Sequence, residues 1–353
     1  AQLPPTTRLM AVVKGNGYGH DAQLVSPLVV QAGADWLAVA TPGEGLALRQ
    51  QGIQVPILIL GYTPPWMVAQ SLAAQLTLMV DDAVTLNHVA DALHHTGQRA
   101  RIHVKVNTGM NRLGLSPAAV EPFLLLVQRH PNIVAEGIFT HFATADEPAS
   151  PFFQQQYTLF QDLVNQLTAK GLRPSIVHAA NSAATLYDPR AHFDMIRFGI
   201  ALYGLHPNIH SAPLWPALKP VLSWKAQVVH LTELQQGDSV GYGQDFIAEA
   251  PMTVATIPVG YADGFPRSPR TWQSVLLHGE EVPLVGRVCM DQAMIDISAV
   301  LALGKEVHLG DEVVLIGQQG ERTLTVEEIA RRTETINYEV VSRILPRVPR
   351  LLV

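Results

Sequence analysis

Short apolar runs alternate with longer amphipathic stretches over the first 205 residues or so of the chain. There are eight such runs: Leu9–Val13, Trp36–Ala40, Val55–Leu60, Leu76–Val80, His103–Val106, Ile133–His141, Ile176–Ala180 and Met195–Ile200. Most are separated by segments with apolar residues three and four positions apart, such as Ala83–His95 and Phe152–Lys170, which predict helices. Apolar runs without strict alternation are typical of parallel strands covered on both faces. The pattern predicts a TIM (β/α)8 barrel, with a doubly wound open sheet as the alternative.

The pattern changes after Leu205. Residues 206–220 carry four prolines and predict a linker. Short apolar runs separated by turn residues then predict a mainly antiparallel β domain with these strands: Ser223–Leu231, Thr253–Val259, Ser274–His278, Pro283–Cys289, Met294–Ile297 and Glu312–Ile316. One helix is predicted over Thr325–Thr333, with Thr325 and Glu328 at the spacing of a capping box. We therefore expect a barrel domain over 1–217 and a β domain over 218–353.

Composition narrows the class of protein. Lys and Arg number 24 against 30 Asp and Glu, a formal net charge of −6, which argues against a general nucleic-acid binder. Hydrophobic residues make up 48% and charged residues 15%, so the chain can bury a large core and further surface in an oligomer. The single cysteine, Cys289, fits a reducing compartment. No apolar run has the length of a membrane span, and the sequence shows no signal peptide, so we expect a cytoplasmic location.

A lysine stands at the end of the first apolar run. Lys14 opens the segment KGNGYGH (14–20), whose alternate glycines indicate a backbone that approaches another group closely or adopts positive φ. A solvated lysine before a flexible loop is the ordinary interpretation. A lysine on a rigid strand end in a partly dry pocket has instead a lowered pKa and acts as a nucleophile toward carbonyl groups.

The fifth and sixth runs also end at or near side chains that are suited to catalysis or to ligand binding. Lys105 lies in an apolar strand, where its charge is costly unless it is paired, modified or able to reach the barrel mouth. Arg112 follows in a glycine-containing loop and is suited to binding a carboxylate or phosphate through two hydrogen bonds. His141 ends the sixth run and is either structural or catalytic.

The seventh and eighth runs end in small residues, with Ser182 after one and Gly199 after the other. Loops after strands seven and eight commonly bind phosphate in TIM barrels. A lysine at the first strand, together with a phosphate site here, suggests pyridoxal phosphate (PLP).

Other sites receive less support. The chain has 14 histidines, yet no recognisable ligand spacing accompanies them, so we expect no metal. Phosphate-loop and nucleophile-elbow motifs are also missing from the sequence. The sequence alone indicates no role for four further residues. They are Tyr261, the pair Met290 and Asp291, and Tyr338, which we expect in a polar turn.

As a set, these segments closely resemble the alanine racemase family. The matching stretches span nearly the whole chain in family order: AVVKGNGYGH (11–20), VKVNTGMNRLG (104–114), THFATAD (140–146), HAANSAA (178–184), MIRFGIALYG (195–204), VGYADG (259–264), GRVCMDQ (286–292) and TINYE (335–339). The resemblance implies a PLP-dependent TIM barrel followed by a β domain. It also implies a head-to-tail homodimer in which the partner completes each active site.

By that resemblance, Lys14 holds PLP covalently and acts as the base on the D-side of the substrate Cα. Tyr261 from the other subunit is the base on the L-side, since racemisation needs bases on opposite faces. Arg197 faces the pyridine nitrogen and, being always protonated, keeps that nitrogen unprotonated. His141 links Arg197 to Tyr261.

The resemblance implies further binding roles. Arg112 contacts the cofactor's phenolic oxygen and the substrate carboxylate, and Met290 and Asp291 of the partner supply more substrate contacts. Lys105 matches a lysine that family members often carry as a carbamate, which orients Arg112. The implied phosphate ligands are Tyr18, Ser182, Gly199, Ile200 and Tyr338.

The sequence departs from the family pattern in several places. Gly15 and Gly17 stand where alanines are usual, which loosens the loop, and Asn107 stands where aspartate is common, which alters the charge near Lys105. The family's usual first strand and helix do not precede the first barrel strand, and we expect this difference to affect stability and dimerisation more than chemistry.

The favoured function is interconversion of L- and D-alanine, which supplies D-alanine for peptidoglycan. A broader amino-acid racemase that also accepts serine is an alternative, because a hydroxyl changes binding only modestly in a small pocket. A non-catalytic PLP-handling barrel protein is a second alternative. Such proteins resemble only the barrel half, so the β-domain motifs argue against it.

Overall fold

The protein is described by a computed structural model that covers residues 3–94, 98–147, 150–208, 218–268 and 271–353. Within these residues the chain forms two compact units. The first contains residues 3–202 and 206–208, and the second contains residues 203–205 and 218–353. The predicted linker over 206–220 lies mostly outside the described residues, so the exact domain boundary stays a prediction.

Eight parallel strands close the first unit into a barrel in sequential order, which confirms the predicted TIM fold. Each strand overlaps one of the eight apolar runs: β1 (Arg8–Val12), β2 (Trp36–Val39), β3 (Ile57–Ile59), β4 (Thr77–Val80), β5 (Ala100–Lys105), β6 (Ile133–Phe139), β7 (Ile176–His178) and β8 (Met195–Phe198). Strand β8 pairs with β1, with Met10 opposite Arg197. This closure brings the carboxyl ends of all eight strands to one rim, where barrel enzymes carry their sites.

Helices surround the barrel, as the three- and four-residue apolar spacing predicts. They are α2 (Ala22–Gln31), α3 (Pro42–Gln50), α4 (Pro65–Ala73), α5 (Ala83–Leu93), α6 (Pro117–Val127), α7 (Pro151–Ala169) and α8 (Ser182–Tyr187). Helix α3 begins with a capping box in which Thr41 and Glu44 satisfy each other's backbone N–H groups. No helix in the described part of the chain is both long and apolar enough to cross a membrane.

The segment after β1 is a short turn, α1 (Lys14–Tyr18), of left-handed backbone. Gly15, Asn16, Gly17 and Tyr18 have φ of 61°, 52°, 64° and 52°. L-residues reach this region at a cost of roughly 1–2 kcal/mol each, and glycine avoids that cost because it has no Cβ. The positive φ expected from the alternate glycines is confirmed.

The second unit is a mainly antiparallel β domain, also as predicted. Its strands are β9 (Trp224–Gln227), β10 (His230–Leu234), β11 (Ser239–Val240), β12 (Phe246–Ile247), β13 (Met252–Ile257), β14 (Ser274–Leu277), β15 (Glu280–Val285), β16 (Ala293–Asp296), β17 (Glu312–Gln319) and β18 (Arg322–Leu324). The main sheet has the order β10-β13-β16-β15-β14-β17-β18, with β9 also on β17.

Two strand predictions in this unit were wrong in detail. The single strand expected over Ser223–Leu231 is two strands, because Val228 donates its N–H to Asp311 while Val229 donates to Thr256 on another strand. The strand expected over Pro283–Cys289 starts at Glu280 and ends before Gly286, whose φ of 69° leaves the extended region.

The described residues of the second unit also form the α-helices α9 (Ser298–Ala302), α10 (Val326–Arg332) and α11 (Asn337–Ser342). Thr325 caps α10 by accepting the N–H of Glu328 at 3.1 Å, as the capping-box spacing predicts. Tyr338 lies within α11 and not in the expected polar turn. The side chain of Asn337 donates to Glu327 of α10 at 3.1 Å, a contact that no local sequence pattern predicts.

Candidate active site

A buried arginine lies at the centre of the barrel site. The guanidinium of Arg197, at the end of β8, donates to the carbonyl oxygens of Thr140 (2.9 Å) and Ala179 (2.8 Å). It also donates to Nδ1 of His141 at 3.2 Å and to Nδ1 of His178 at 3.1 Å. Burial lowers the pKa of Arg197 to about 9, which still leaves the side chain protonated at neutral pH. The structure therefore brings a fixed positive charge to the ends of strands β6, β7 and β8.

Lys14 stands where β1 meets the left-handed turn. Burial, reinforced by the positive charge of Arg112, lowers the pKa of Lys14, whereas the carboxylate of Glu44 opposes this change. Glu44 also holds the turn itself, since its Oε1 accepts the N–H of Gly15 at 2.6 Å and its Oε2 accepts the N–H of Ala40 at 2.7 Å. Glu44 thus fixes the backbone directly after Lys14 to the segment between β2 and α3.

Small groups at the ends of β7 and β8 form a cradle. The hydroxyl oxygen of Ser182 accepts the N–H groups of Gly199 at 2.9 Å and Ala201 at 3.4 Å. A Cβ at Gly199 would lie only 2.8 Å from the hydroxyl of Tyr18, so glycine is needed for this approach. Burial raises the pKa of Tyr18 to about 12, and Ile200 is fully buried beside the cradle. Hydroxyl and backbone groups near a buried cation suit an anionic phosphate.

Lys105 and Arg112 lie at the end of β5 and in the loop that follows. Lys105 is only 6% exposed, and burial together with the charge of Arg112 lowers its pKa to about 8. Its ammonium group lies 5.6 Å from the ring centre of Phe139. Asn107 shapes the loop by accepting the N–H groups of Gly109 and Asn111, each at 3.0 Å. Arg112 itself is exposed, so it is available to a bound ligand.

A second group of predicted residues lies in the β domain. Tyr261 is 41% exposed in a 3-10 turn, Tyr261–Asp263, and Met290 is 54% exposed. The turn pairs with the loop carrying Met290, because Tyr261 donates its N–H to the carbonyl of Cys289 at 3.1 Å and Ala262 donates to Met290 at 2.9 Å. Tyr261 and Met290 are therefore held together by backbone hydrogen bonds.

One arginine ties this group to the C-terminal segment. Nε of Arg347 donates to Asp263 and its Nη2 donates to Asp291, both at 2.7 Å. The other carboxylate oxygen of Asp263 accepts the N–H of Gly260 at 2.8 Å, which fixes the start of the turn. Tyr338, the remaining predicted ligand, lies on α11 of the same unit.

Several supporting residues escaped the sequence reasoning. The sequence could have indicated Glu44 through the capping box that it forms with Thr41, but nothing in the sequence indicates its hydrogen bond with Gly15. Gln156 is fully buried and donates to the carbonyl of His141 at 3.2 Å while accepting the N–H of Ala143 at 2.9 Å. Asp263 and Arg347 are 84 residues apart, beyond the reach of any periodicity.

Comparison with protein-family models gives a match over almost the entire chain. Residues 1–207 match the model described as alanine racemase, N-terminal domain, and residues 221–352 match alanine racemase, C-terminal domain. The alanine racemase of Symbiobacterium thermophilum is 44% identical over an alignment of 354 positions, which covers 99% of this chain and 91% of the relative.

Solved structures agree with this match. The alanine racemase of Bacillus anthracis with bound L-Ala-P superposes with a TM-score of 0.90 at 38% identity, covering 97% of this chain and 87% of that one. The histidine racemase of Leuconostoc mesenteroides has a TM-score of 0.88 at 30% identity, covering 99% of this chain and 92% of that one. The fold is thus shared by racemases with different named substrates.

Proposed function

The chain belongs to the alanine racemase family, and from this premise we propose that it interconverts L- and D-alanine with pyridoxal phosphate as cofactor. One observation carries the proposal. Lys14, whose pKa burial lowers, shares the barrel rim with the fixed cation Arg197 and with the cradle of Tyr18, Ser182 and Gly199. The physiological role proposed is supply of D-alanine for peptidoglycan, in the cytoplasm.

The barrel residues fit the cofactor. The space beside Gly199, which a Cβ would fill, and the hydroxyls of Tyr18 and Ser182 suit its phosphate. Ile200 and Tyr338 are the further phosphate ligands proposed, Tyr338 from the β domain. PLP, once bound covalently at Lys14, supplies an electron sink for the pair left when the Cα–H bond breaks.

Arg197 controls how strong that sink is. It contacts three carbonyl or imidazole acceptors from neighbouring strands besides His178, so its orientation is fixed before any ligand binds. A guanidinium that stays protonated has no acceptor atom and presents only N–H donors to a pyridine nitrogen. Arg197 would in this way hold the ring nitrogen of PLP unprotonated, and the cofactor would then supply a weaker electron sink, which would favour return of the proton to Cα.

Two bases on opposite faces of Cα complete the proposal. The amine of Lys14 takes or returns the proton on the D-side, and burial, which lowers its pKa, favours the neutral form that a base needs. Tyr261 of the partner subunit acts on the L-side, with His141 linking its phenol to Arg197 by hydrogen bonds. The proposed functional unit is accordingly a homodimer with shared sites.

The substrate carboxylate is assigned to Arg112, which is exposed and can offer two parallel donors. Met290 and Asp291 of the partner subunit supply the remaining substrate contacts. The anchoring of Asp291 by Arg347 supports this assignment, because a side chain held by a 2.7 Å charged bond is fixed in place.

A broader amino-acid racemase is the second candidate function. The histidine racemase match favours it, since this fold accommodates a substrate other than alanine in that relative. A non-catalytic PLP-handling barrel is disfavoured, because the family match continues through residues 221–352.

The test combines activity with cofactor chemistry. The purified chain with PLP should form D-alanine from L-alanine faster than D-serine from L-serine or D-histidine from L-histidine. Borohydride reduction and peptide mapping should place the label on Lys14, with exposed Lys170 as an unlabelled control. Label on another lysine would refute the site, and a preference for serine or histidine would favour the second candidate.

A further inference from the structure

A line of polar side chains runs from Arg197 through the barrel interior to Glu136 on strand β6. Arg197 donates to Nδ1 of His178 at 3.1 Å, and Nε2 of His178 lies 2.8 Å from Nδ1 of His103. Nε2 of His103 in turn lies 3.9 Å from Oε2 of Glu136. His103 and His178 are fully buried, and the proposed racemisation chemistry does not use His103 or Glu136 directly.

The backbone around this line is shaped to admit it. Strand pairing shifts between β5 and β6, with Ile102 opposite Ala135 but His103 opposite Gly137, so that Glu136 is the extra residue of a β-bulge. Bulges redirect side chains and occur often beside functional sites. A Cβ at Gly137 would lie 2.5 Å from Nδ1 of His103, so only glycine leaves room for this ring.

Aromatic rings fix the two histidines from the side. Phe139 stacks on His178 with ring centres 4.7 Å apart and planes 6° from parallel. Trp36 packs against His103 with ring centres 5.3 Å apart. Buried rings confined in this way cannot rotate to exchange partners, so the protons on their nitrogens decide which hydrogen bonds exist.

The positions of those protons follow from Arg197. A guanidinium only donates, so Nδ1 of His178 must be the acceptor, and a neutral His178 carries its proton on Nε2. That proton is donated to Nδ1 of His103, so a neutral His103 also carries its proton on Nε2. The carboxylate of Glu136 lies 3.9 Å from this nitrogen, too far for a direct hydrogen bond, and its negative charge favours the proton there over Nδ1.

We propose that His103 and Glu136 are positioning residues for Arg197, because the carboxylate of Glu136, 3.9 Å from Nε2 of His103, favours a proton on that nitrogen. Nδ1 of His103 is then left to accept from His178, and Nδ1 of His178 is left to accept from the guanidinium. The inference rests on the proposed function in assigning Arg197 to the cofactor ring. Without the terminal carboxylate, His103 can carry its proton on Nδ1, where it meets the proton on His178 and breaks the line.

The electrostatics of the line agree with this order. Burial alone would raise the pKa of Glu136, but the nearby imidazole of His103 and the charges of Arg101 and Arg8 outweigh burial and lower it. Burial, with Arg197 nearby, holds the pKa of His178 well below its usual value. The carboxylate is therefore charged and His178 neutral at neutral pH, as the one-directional line requires.

Neutron diffraction from crystals of the PLP-loaded full chain, exchanged into heavy water, tests the order directly. Deuterium should appear on Nε2 of both His103 and His178 and not on Nδ1 of either. Deuterium on Nδ1 of either ring would overturn the proposal, whatever the activity of the protein. This result also holds apart from the proposed function, which fails separately if the wild type neither binds PLP nor racemises an amino acid.

Substitutions separate positioning from packing. In His103→Gln, the amide oxygen can accept from His178 and the amide nitrogen can donate to Glu136, so the direction of the line is kept. His103→Leu and Glu136→Leu remove it. Relative to wild type, the two leucine variants should lose about tenfold in kcat, the effect of one lost charge-assisted hydrogen bond, with a much smaller change in KM. The absorbance of bound PLP should shift in both.

His103→Gln should keep kcat within about threefold of wild type, and Glu121→Gln, an exposed carboxylate paired with Lys170, should change nothing. If the leucine variants bind PLP with unchanged spectrum and kcat, the proposal is wrong. If His103→Gln falls as far as His103→Leu, the residue acts through ring packing alone, which also overturns it. Should the leucine variants not fold, the deuterium positions and His103→Gln decide.

Discussion

Glu44 accepts the backbone N–H of Gly15 at 2.6 Å, although the two residues belong to successive strand–helix units of the barrel. The same carboxylate closes the capping box of α3. One side chain therefore fixes the left-handed turn beside Lys14 to the start of a helix, and places a negative charge near the lysine amine. The first prediction concerns that charge.

Glu44→Gln should lower the pKa of Lys14, because this carboxylate raises it whereas Arg112 and Arg197 lower it. In the cofactor-free chain, the pH midpoint for reaction of Lys14 with trinitrobenzenesulfonate, followed by peptide mapping, should move to lower pH. Glu121→Gln is the matched control, since that carboxylate pairs with Lys170 on the surface. An unchanged or higher midpoint in Glu44→Gln would contradict the assignment.

Arg197→Glu should allow the pyridine nitrogen of the cofactor to become protonated and so strengthen the electron sink. Racemisation should fall by at least tenfold, while a new long-wavelength absorbance and some transamination appear. Arg197→Lys keeps a positive charge and should lose activity without the new absorbance. If Arg197→Glu keeps the wild-type rate and spectrum, this arginine does not face the ring.

Lys105 should form a carbamate, because it is buried beside the positive charge of Arg112, and a carbamate replaces repulsion by attraction. The neutral amine attacks carbon dioxide, the N–C bond forms and a proton leaves to solvent. Since the pKa of Lys105 is lowered to about 8, the neutral form increases as pH rises through 8. A carbonyl signal from ¹³C-labelled bicarbonate should grow over pH 7–9 and be missing in Lys105→Ala.

The same lowered pKa has a consequence for stability. Between pH 8 and the usual value of 10.5, the unfolded chain binds a proton at Lys105 that the folded chain does not. The free energy of unfolding therefore gains a contribution from this residue that rises with pH in that window. Comparing the unfolding of wild type and Lys105→Met at pH 7.5 and 9.5, without bicarbonate, should show a larger gain for wild type.

Arg347→Leu should loosen the Tyr261 turn, since it removes the bonds to both Asp263 and Asp291. We expect kcat to fall about tenfold, as for the loss of charged hydrogen bonds at a site, with only a small change in Tm because these contacts are partly exposed. Arg322→Leu is the control, because its contacts with Glu280 and Glu281 are long, at 3.8 and 4.0 Å, and lie on the surface. Equal activity of the two variants would refute a positioning role.

Shared sites can be tested by mixing two inactive variants. In the proposed homodimer, Lys14→Ala and Tyr261→Ala would each remove one base from both sites, so each variant alone should be nearly inactive. A heterodimer has one site with both substitutions and one with neither, so free exchange at equal amounts should return about one quarter of wild-type activity. Native mass spectrometry checks that heterodimers form, and heterodimers without activity would rule out sites shared between subunits.

The sequence by itself determined the eight parallel strands and the nature of the second domain, whereas pairing of β8 with β1 decided for a closed barrel over an open sheet. Parallel strands buried on both faces need continuous apolar residues, and eight such runs separated by amphipathic segments leave few other architectures. Local chemistry was equally readable where it depends on a few neighbouring residues. The positive φ of Gly15 and Gly17 and the cap at Thr325 are examples, because each follows from the properties of residues adjacent in the chain.

Only the tertiary structure decided which distant residues meet. The division of the Ser223–Leu231 run into β9 and β10 depends on its pairing with two different strands, and the apolar pattern is the same for one long strand. Glu44 reaches Gly15 across 29 residues, His178 and His103 are 75 residues apart, and Arg347 and Asp263 are 84 apart. Hydrogen bonds of this kind depend on strand register and side-chain direction. Both are established when the barrel closes and the β sheet pairs, and the periodicity of the sequence does not encode them.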